Sequence, residues 1–376
     1  MTVRTSKSTY ATVSMKGGGY YSQRTRGAKD VIDNAVSMLE DAVAALPART
    51  SERSIQIADY GAADGGTSKQ AIYRTISALR KRYPQHQVTV TYSDLPGNDY
   101  STLFRNLTGV DDDSDDNYLK DFGNVFVNAC GIGFHSQLMP DQTLDIGFSA
   151  TAMHYVSEKP CQIPNHVHMV GASGSALDAF SRQARDDWNR ILLSRAAELK
   201  PGGRLVFMNF GIDEDGRYLG NTGGINMFNT FNDIWHELHE EGSITHDEWV
   251  DATFSQFYRT REEFCAPLVD PSSEVYQSGL RLVSAHTGVV KCPYRAAYEA
   301  AGEAMSTQEF AASYIPTLRS WSETVFATAL DSARPEDARV ALVDLFYQRY
   351  EDRVAADPTG HAMDYVHCYL AIEKIL

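Results

Sequence analysis

The chain has 376 residues, 43% of them hydrophobic, enough for one large α/β domain with a subdomain or for two domains. Its formal net charge of −15 repels phosphate backbones, which argues against nucleic acid as a partner, and would repel an acidic substrate unless local cations override it. No apolar run approaches the roughly 18 residues of a membrane span, and segment 1–12 lacks an apolar signal core.

Five cysteines (Cys130, Cys161, Cys265, Cys292 and Cys368) are scattered and never in CxxC spacing. That argues against a disulfide scaffold or structural zinc and for a reducing, cytoplasmic compartment.

In chain order, Ile57-Ala58-Asp59 ends a short β-compatible run, and a glycine turn follows through Gly61, Gly65 and Gly66. Glycines allow backbone to come close to a ligand, and the helix opening at Thr67 points free N–H groups into the same space. Two readings fit: a cradle for a small adenosine-bearing cofactor, or a plain strand–turn–helix. The spacing is GxxxGG, a poor match to the GxGxxG dinucleotide fingerprint. Residues 68–83 read as a helix with Ile72, Ile76, Leu79 and Tyr83 on one face. A strand over 88–92 ends at Ser93-Asp94, and the acidic run 111–116 reads as a solvated loop. Strands follow over 124–128 and 144–149, then a long helix over 176–199. The turn Lys200-Pro201-Gly202-Gly203 feeds a fifth strand over 204–209. Further strands are expected over 280–286 and within 362–375. This alternation predicts an α/β fold with a doubly wound, mostly parallel sheet. Segments 211–270 and 293–330 break the rhythm with helical and aromatic patterns. They are expected to form a helical cap over the carboxyl edge of a core made of 1–210, 271–292 and 331–376.

Asp94 ends the second strand, where a carboxylate accepts both hydroxyls of a ribose or else orders an Asp-Leu-Pro-Gly turn. Asp59 either contacts a cofactor or orders the glycine turn. The Pro-Gly-Gly turn before an apolar strand is frequent in methyltransferases that use S-adenosylmethionine, though it is also an ordinary turn.

Several blocks in order resemble the SABATH family, the salicylic acid, benzoic acid and theobromine methyltransferases. They are Met15-Lys16-Gly17-Gly18; Ile57-Ala58-Asp59 with Gly61 and Gly65; Asp94-Leu95-Pro96-Gly97-Asn98-Asp99; Gly133-Phe134 with Leu138 and Pro140; Ser149 through His154-Tyr155; and Pro201-Gly202-Gly203-Arg204. The resemblance implies a Rossmann-like class I methyltransferase core with a helical cap, S-adenosylmethionine as donor, a small acid or ring nitrogen as acceptor, and often a homodimer. By resemblance, Tyr21, Thr25, Asp59, Gly61, Asp94, Leu95, Gly133, Phe134 and Ser149 touch the cofactor. Asp94 would take the ribose and Phe134 would lie against the adenine. Met227, Phe228, Tyr258, Trp321 and Phe346 match positions lining the acceptor cavity, with Asn226 and Arg259 adding polarity deeper in.

Departures from the plant pattern fall at the acceptor site. Ala28 stands where a clamping glutamine is usual, Tyr155 replaces a tryptophan that donates from its indole N–H, and Thr151 replaces a tyrosine. Tyr155 retains an O–H donor, His154 matches the family's frequent His-Trp pair, and Arg24 and Arg26 are the nearest replacement donors. His166 and His168 have metal-like spacing only superficially, and no metal is assigned.

A carboxylic acid with pKa near 4 is ionised at pH 7 and needs no general base, whereas a phenol near 10 does. His135 and His154, the only histidines near the site by motif, have no obvious carboxylate partner in sequence. The expected reaction is therefore transfer of a methyl group to a small aromatic or dicarboxylic acid. The alternatives are N-methylation of a heterocycle and a cofactor-binding protein without turnover.

Overall fold

The computed structural model describes residues 26–48, 54–110 and 117–375, Arg26 by its backbone alone. The expectations for Tyr21, Arg24, Thr25 and the Arg26 side chain lie outside the described residues, as does the acidic loop at 111–116. Among the described residues two helices come first, α1 (Arg26–Asn34) and α2 (Val36–Ala45), followed by β1 (Ile55–Tyr60) and α3 (Lys69–Arg82). The strand β1 is buried along almost its whole length, as a central parallel strand covered on both faces must be. Next come β2 (Val88–Ser93), α4 (Tyr100–Thr108), α5 (Tyr118–Asp121), β3 (Val125–Cys130) and β4 (Leu144–Ala150).

A long helix α6 (Gly174–Glu198) runs directly into β5 (Leu199–Ile212). This strand starts before the expected Arg204 because Leu199 already pairs with Leu144, the register shifting once before Ile146 meets Arg204. After β5 come α7 (Met227–Glu240), α8 (His246–Asp251), β6 (Arg259–Thr260), α9 (Arg261–Val269), α10 (Glu274–Gln277) and β7 (Leu280–Val290). The remaining elements are α11 (Pro293–Ala301), α12 (Thr307–Ala329), α13 (Glu336–Ala356) and β8 (Tyr365–Lys374).

The described strands form one eight-stranded sheet in the order β3-β2-β1-β4-β5-β8-β7, with β6 pairing to β5 off this path. Strands β3, β2, β1, β4 and β5 are parallel, and β8 runs antiparallel between β5 and β7. The order reverses at β1, so connections leave toward opposite sides and a crevice opens at the carboxyl ends of β1, β2 and β4. Register places Asp59 beside Tyr92 of β2 and Phe148 of β4, which brings the residues just beyond these strand ends together.

Helices α7, α12 and α13 pack on one another through rings. Phe231 and Trp235 of α7 meet Phe326 of α12 and Phe346 of α13 at centroid distances of 5.1–5.9 Å. Apolar and aromatic burial supplies the stability here, with preferred tilted and edge-on geometries adding a little per pair. Helix α13, which the sequence assigns to the core, thus joins α7 and α12. Polar ends are settled locally: Thr245, Thr260 and Ser306 form capping boxes with Glu248, Glu263 and Glu309.

Candidate active site

The crevice is built from three strand ends. After β1 the chain turns at Gly61, whose φ of +79° favours glycine and where an added Cβ would stand 2.4 Å from the Ala152 Cβ. The two loops therefore close on each other only without a side chain at 61. The Gly61 and Ala62 amides donate to the Ser93 carbonyl at 2.8 and 3.1 Å, tying the first loop to the end of β2. Asp94 follows at once. Its Oδ2 accepts from the Ala63 amide and its Oδ1 from the Leu95 amide, both at 2.7 Å. Asn98 Nδ2 donates to the Ala63 carbonyl at 2.7 Å. Ala63 and Thr151 hold positive φ of 48° and 55°, uncommon for residues with a Cβ, and both face the same cavity.

Asp59, 2% exposed at the end of β1, lies behind this loop. Burial pushes its carboxyl up to about 7, against a lowering hydrogen bond with Ser68 and with the Asp94 charge adding to the rise. Its Oδ2 has no hydrogen-bond partner. Burial also raises Asp94, opposed by the two amides it accepts.

The loop after β3 carries Phe134, and a buried ion pair fixes that loop. Arg195 and Glu198 on the last turn of α6 are fully buried and meet at 2.7 Å. Arg195 donates to the carbonyls of Phe134 at 2.9 Å and Ser136 at 2.7 Å. Glu198 accepts from the Leu138 amide at 2.5 Å and from the Tyr60 hydroxyl at 2.7 Å. The hydrogen bonds that offset burying two charges thus run to this loop and to β1.

The chain from Thr151 to Tyr155 supplies a further part of the cavity wall through Thr151, Ala152 and Tyr155. Thr151 Oγ1 lies 3.0 Å from His367 Nε2. His135 Nε2 donates to the Tyr155 carbonyl at 3.2 Å, and burial drives this imidazole down to about 4. His154 is buried against Tyr155, Phe210 and Tyr258, with centroids at 4.5, 4.9 and 5.8 Å. Burial, with the charges of His367, His168 and Arg259 adding, holds it well below the usual range, and its Nδ1 has no partner.

Of the expected residues, the cavity brings together Gly61, Asp94, Leu95, Phe134 and Tyr155, with Ala28 and Thr151 also in its wall. Asp59 and Ser149 stand behind it, the Ser149 hydroxyl donating to the Tyr60 carbonyl at 2.8 Å. Gly133 lies in the Phe134 loop, where its carbonyl accepts from the Ser136 amide at 3.1 Å. Met227, Phe228 and Tyr258 are buried outside the cavity wall, where Trp321 packs edge-on to Phe228 at 6.2 Å. Phe346 sits in the ring cluster of α7, α12 and α13, 4.1 Å from Phe326, away from the cavity wall. His168 stacks on Phe228 at 3.8 Å rather than facing a site with His166. Arg259 donates to the Met153 and Ala184 carbonyls. Asn226 caps α7 and donates to the Tyr218 hydroxyl at 2.6 Å.

Asn98, Thr67 and Ser255 also line the cavity. Asn98 lies inside the Asp94–Asp99 block and Thr67 at the helix start, so both were legible by position. Nothing in the sequence marks Ser255.

A family model described as SAM dependent carboxyl methyltransferase matches residues 10–374. The chain belongs to this family. Salicylate carboxymethyltransferase of Clarkia breweri is 30% identical over 213 residues, covering 52% of this chain and 56% of that protein. Indole-3-acetate O-methyltransferase 1 of Arabidopsis thaliana is 26% identical over 294 residues, 70% of this chain and 71% of that one. The match spans little more than half the length of the salicylate and benzoic acid relatives. A structure of loganic acid methyltransferase with SAH superposes with TM-score 0.73 at 18% identity, covering 96% of this chain and 99% of that chain, and it shows the shared class I methyltransferase fold.

The residues present fit the family's S-adenosylmethionine. A carboxylate stands at the end of β2, a cradle is closed to any side chain at 61, and an aromatic ring is held at 134.

Proposed function

We propose that the protein is an S-adenosylmethionine-dependent O-methyltransferase that converts a small aromatic or dicarboxylic acid to its methyl ester. The observation that carries this is one cavity lined by Asp94, Phe134 and Tyr155 together, beside a His135 imidazole that burial holds down. When bound, S-adenosylmethionine supplies a methyl group already activated on a sulfonium. The chain's own task is then to hold and align. Asp94 accepts the ribose hydroxyls, and Phe134 covers the adenine. Asp59, Gly61, Leu95, Gly133 and Ser149 shape the cradle, and Tyr21 and Thr25 close it. Tyr155 donates its O–H to the acceptor, with His154 packed beside it and Arg24 and Arg26 as further donors. Met227, Phe228, Tyr258 and Trp321 back the apolar acceptor side from outside the cavity wall, while Phe346 packs in the ring cluster with Phe231 and Phe326. We place that side under a cap of 211–270 and 293–330, extended by α13 through its Phe346 contacts.

Alignment of this kind supplies roughly 7–11 kcal/mol when both reactants are held, which suffices for an acceptor that is already an anion. A phenol near pKa 10 is un-ionised at pH 7 and would call for a general base poised near that pH, whereas burial holds His135 down, to about 4. We further propose a homodimer in the cytoplasm. The five unpaired cysteines support a reducing compartment.

The test is a panel of acids, purines and phenols with labelled donor. Methyl esters are expected from at least one acid class, and Asp94→Ala is expected to weaken donor binding at least tenfold. Label on ring nitrogen alone, or parental donor affinity in Asp94→Ala, would overturn the proposal.

A further inference from the structure

Ala28 leaves the carboxylate clamp of the plant pattern one donor short. Thr151, just past β4 in the same cavity wall, carries a hydroxyl that the fold holds in place against strain. Its φ of +55° is an outlier for a β-branched residue, and such strain gathers at sites where position matters. The Thr151 amide donates to the Met208 carbonyl at 2.7 Å, which fixes the backbone. The side chain is fixed by β8: Thr151 Oγ1 lies 3.0 Å from His367 Nε2. His367 is fully buried against the rings of Phe210 and Tyr365, with centroids at 4.3 and 5.9 Å. Burial drives its imidazole down to about 3, so it is neutral and carries one proton. Its Nδ1 has no hydrogen-bond partner among the described residues. Buried N–H groups without an acceptor are rarer than under-used acceptors, which puts the proton on Nε2. His367 Nε2 therefore donates to Thr151 Oγ1, and a hydroxyl that accepts in this way keeps its own proton for another acceptor. Thr151 lines the cavity and His367 does not. The Ala28 side of the wall leans on the same group. Gly27 presses so closely on the Tyr365 ring that a Cβ there would collide with it, and Tyr365 stacks on His367.

We propose that the Thr151 hydroxyl, aimed by His367 as a positioning residue, donates to the carboxylate of the acceptor acid in place of the donor lost at Ala28. The proposal rests on the carboxyl-methylation function above. The carboxylate gives up its charge as the methyl group arrives, so this hydrogen bond is no stronger in the transition state than before it. Its loss therefore falls on KM rather than kcat.

The test uses the full-length protein and an acid that the parent methylates. Thr151→Val keeps the shape and removes the hydroxyl. It is expected to raise KM for the acid about tenfold to a hundredfold, the range for a hydrogen bond to a charged group, with kcat and donor affinity within about twofold of the parent. Thr151→Ser restores the hydroxyl and is expected to bring KM back to within about threefold of the parent. His367→Phe frees the hydroxyl to turn and is expected to raise KM. The opposite arrangement, with Thr151 donating to Nε2, predicts a fall, because the hydroxyl would be released. Thr151→Val with His367→Phe should raise KM no further than Thr151→Val alone, since both act through one hydroxyl. A parental KM in Thr151→Val, an equal penalty in Thr151→Ser, or a parental or lowered KM in His367→Phe overturns the inference. So does a loss confined to donor affinity, which would assign the hydroxyl to the carboxylate of S-adenosylmethionine. Should Thr151→Val fail to fold, Thr151→Ala takes its place; should His367→Phe fail, the comparison of Thr151→Val with Thr151→Ser decides. A parent that methylates no acid overturns the functional proposal itself, whereas a parent that does so alongside an unaffected Thr151→Val overturns this inference alone.

Discussion

Asp59 is a carboxyl the fold prefers to keep protonated. Burial raises it to about 7, so the stability tied to its proton is present in full below about 3.8 and is lost as pH climbs through about 7. A cationic ligand nearby acts in the opposite sense, favouring the charged form and pulling the pKa down. Donor binding at pH 7 is therefore expected to release protons, fewer than one per site. Calorimetry in two buffers of different ionisation enthalpy measures this, and Asp59→Asn should abolish the release. Equal heats in both buffers for the parent would mean that Asp59 does not sense the sulfonium. The sequence made Asp59 and Asp94 visible because both end strands beside glycine or proline turns. It could not divide their roles. That division depends on burial and on the two amides that Asp94 accepts and Asp59 lacks.

Among the elements, α6 does more than cover the sheet. Its last turn reaches across to the Phe134 loop through Arg195 and Glu198, a pair three residues apart whose sequence spacing reads as an ordinary helix-surface contact. Only the tertiary structure reveals that both are buried. Arg195→Met leaves Glu198 charged and without its cation, and is expected to cost about 3–5 kcal/mol in urea unfolding. Arg195→Met with Glu198→Gln should recover part of that loss. Donor affinity should fall in the single variant, because Phe134 loses its anchor; a single variant as stable as the parent would refute the account. The same limit explains the other differences between sequence and structure. Strand alternation and the glycine and proline turns marked β1 to β5 well, since those signals are local. The partnership of α13 with α7 and α12 was hidden, because Phe346 and Phe231 lie far apart in sequence and meet only through packing.

At the scale of the whole molecule, a net charge of −15 opposes the approach of an anionic acceptor. Raising ionic strength from about 0.01 to 0.15 M shortens the screening length from about 30 to 8 Å. The protein should therefore turn over a carboxylate acceptor with a kcat/KM that rises several-fold with salt. A fall would point instead to a cationic rim strong enough to outweigh the global field. The charge was plain in the composition, but the sheet order that decides where the acceptor meets it was not. That order has a consequence for how the chain matures. Strand β8 is made after both of its neighbours, yet it lies inside the sheet between β5 and β7. Until residues 365–374 emerge from the ribosome, β5 presents a bare hydrogen-bonding rim, and the nascent polypeptide must be shielded from sticking to its neighbours while it waits for the strand that fills the gap.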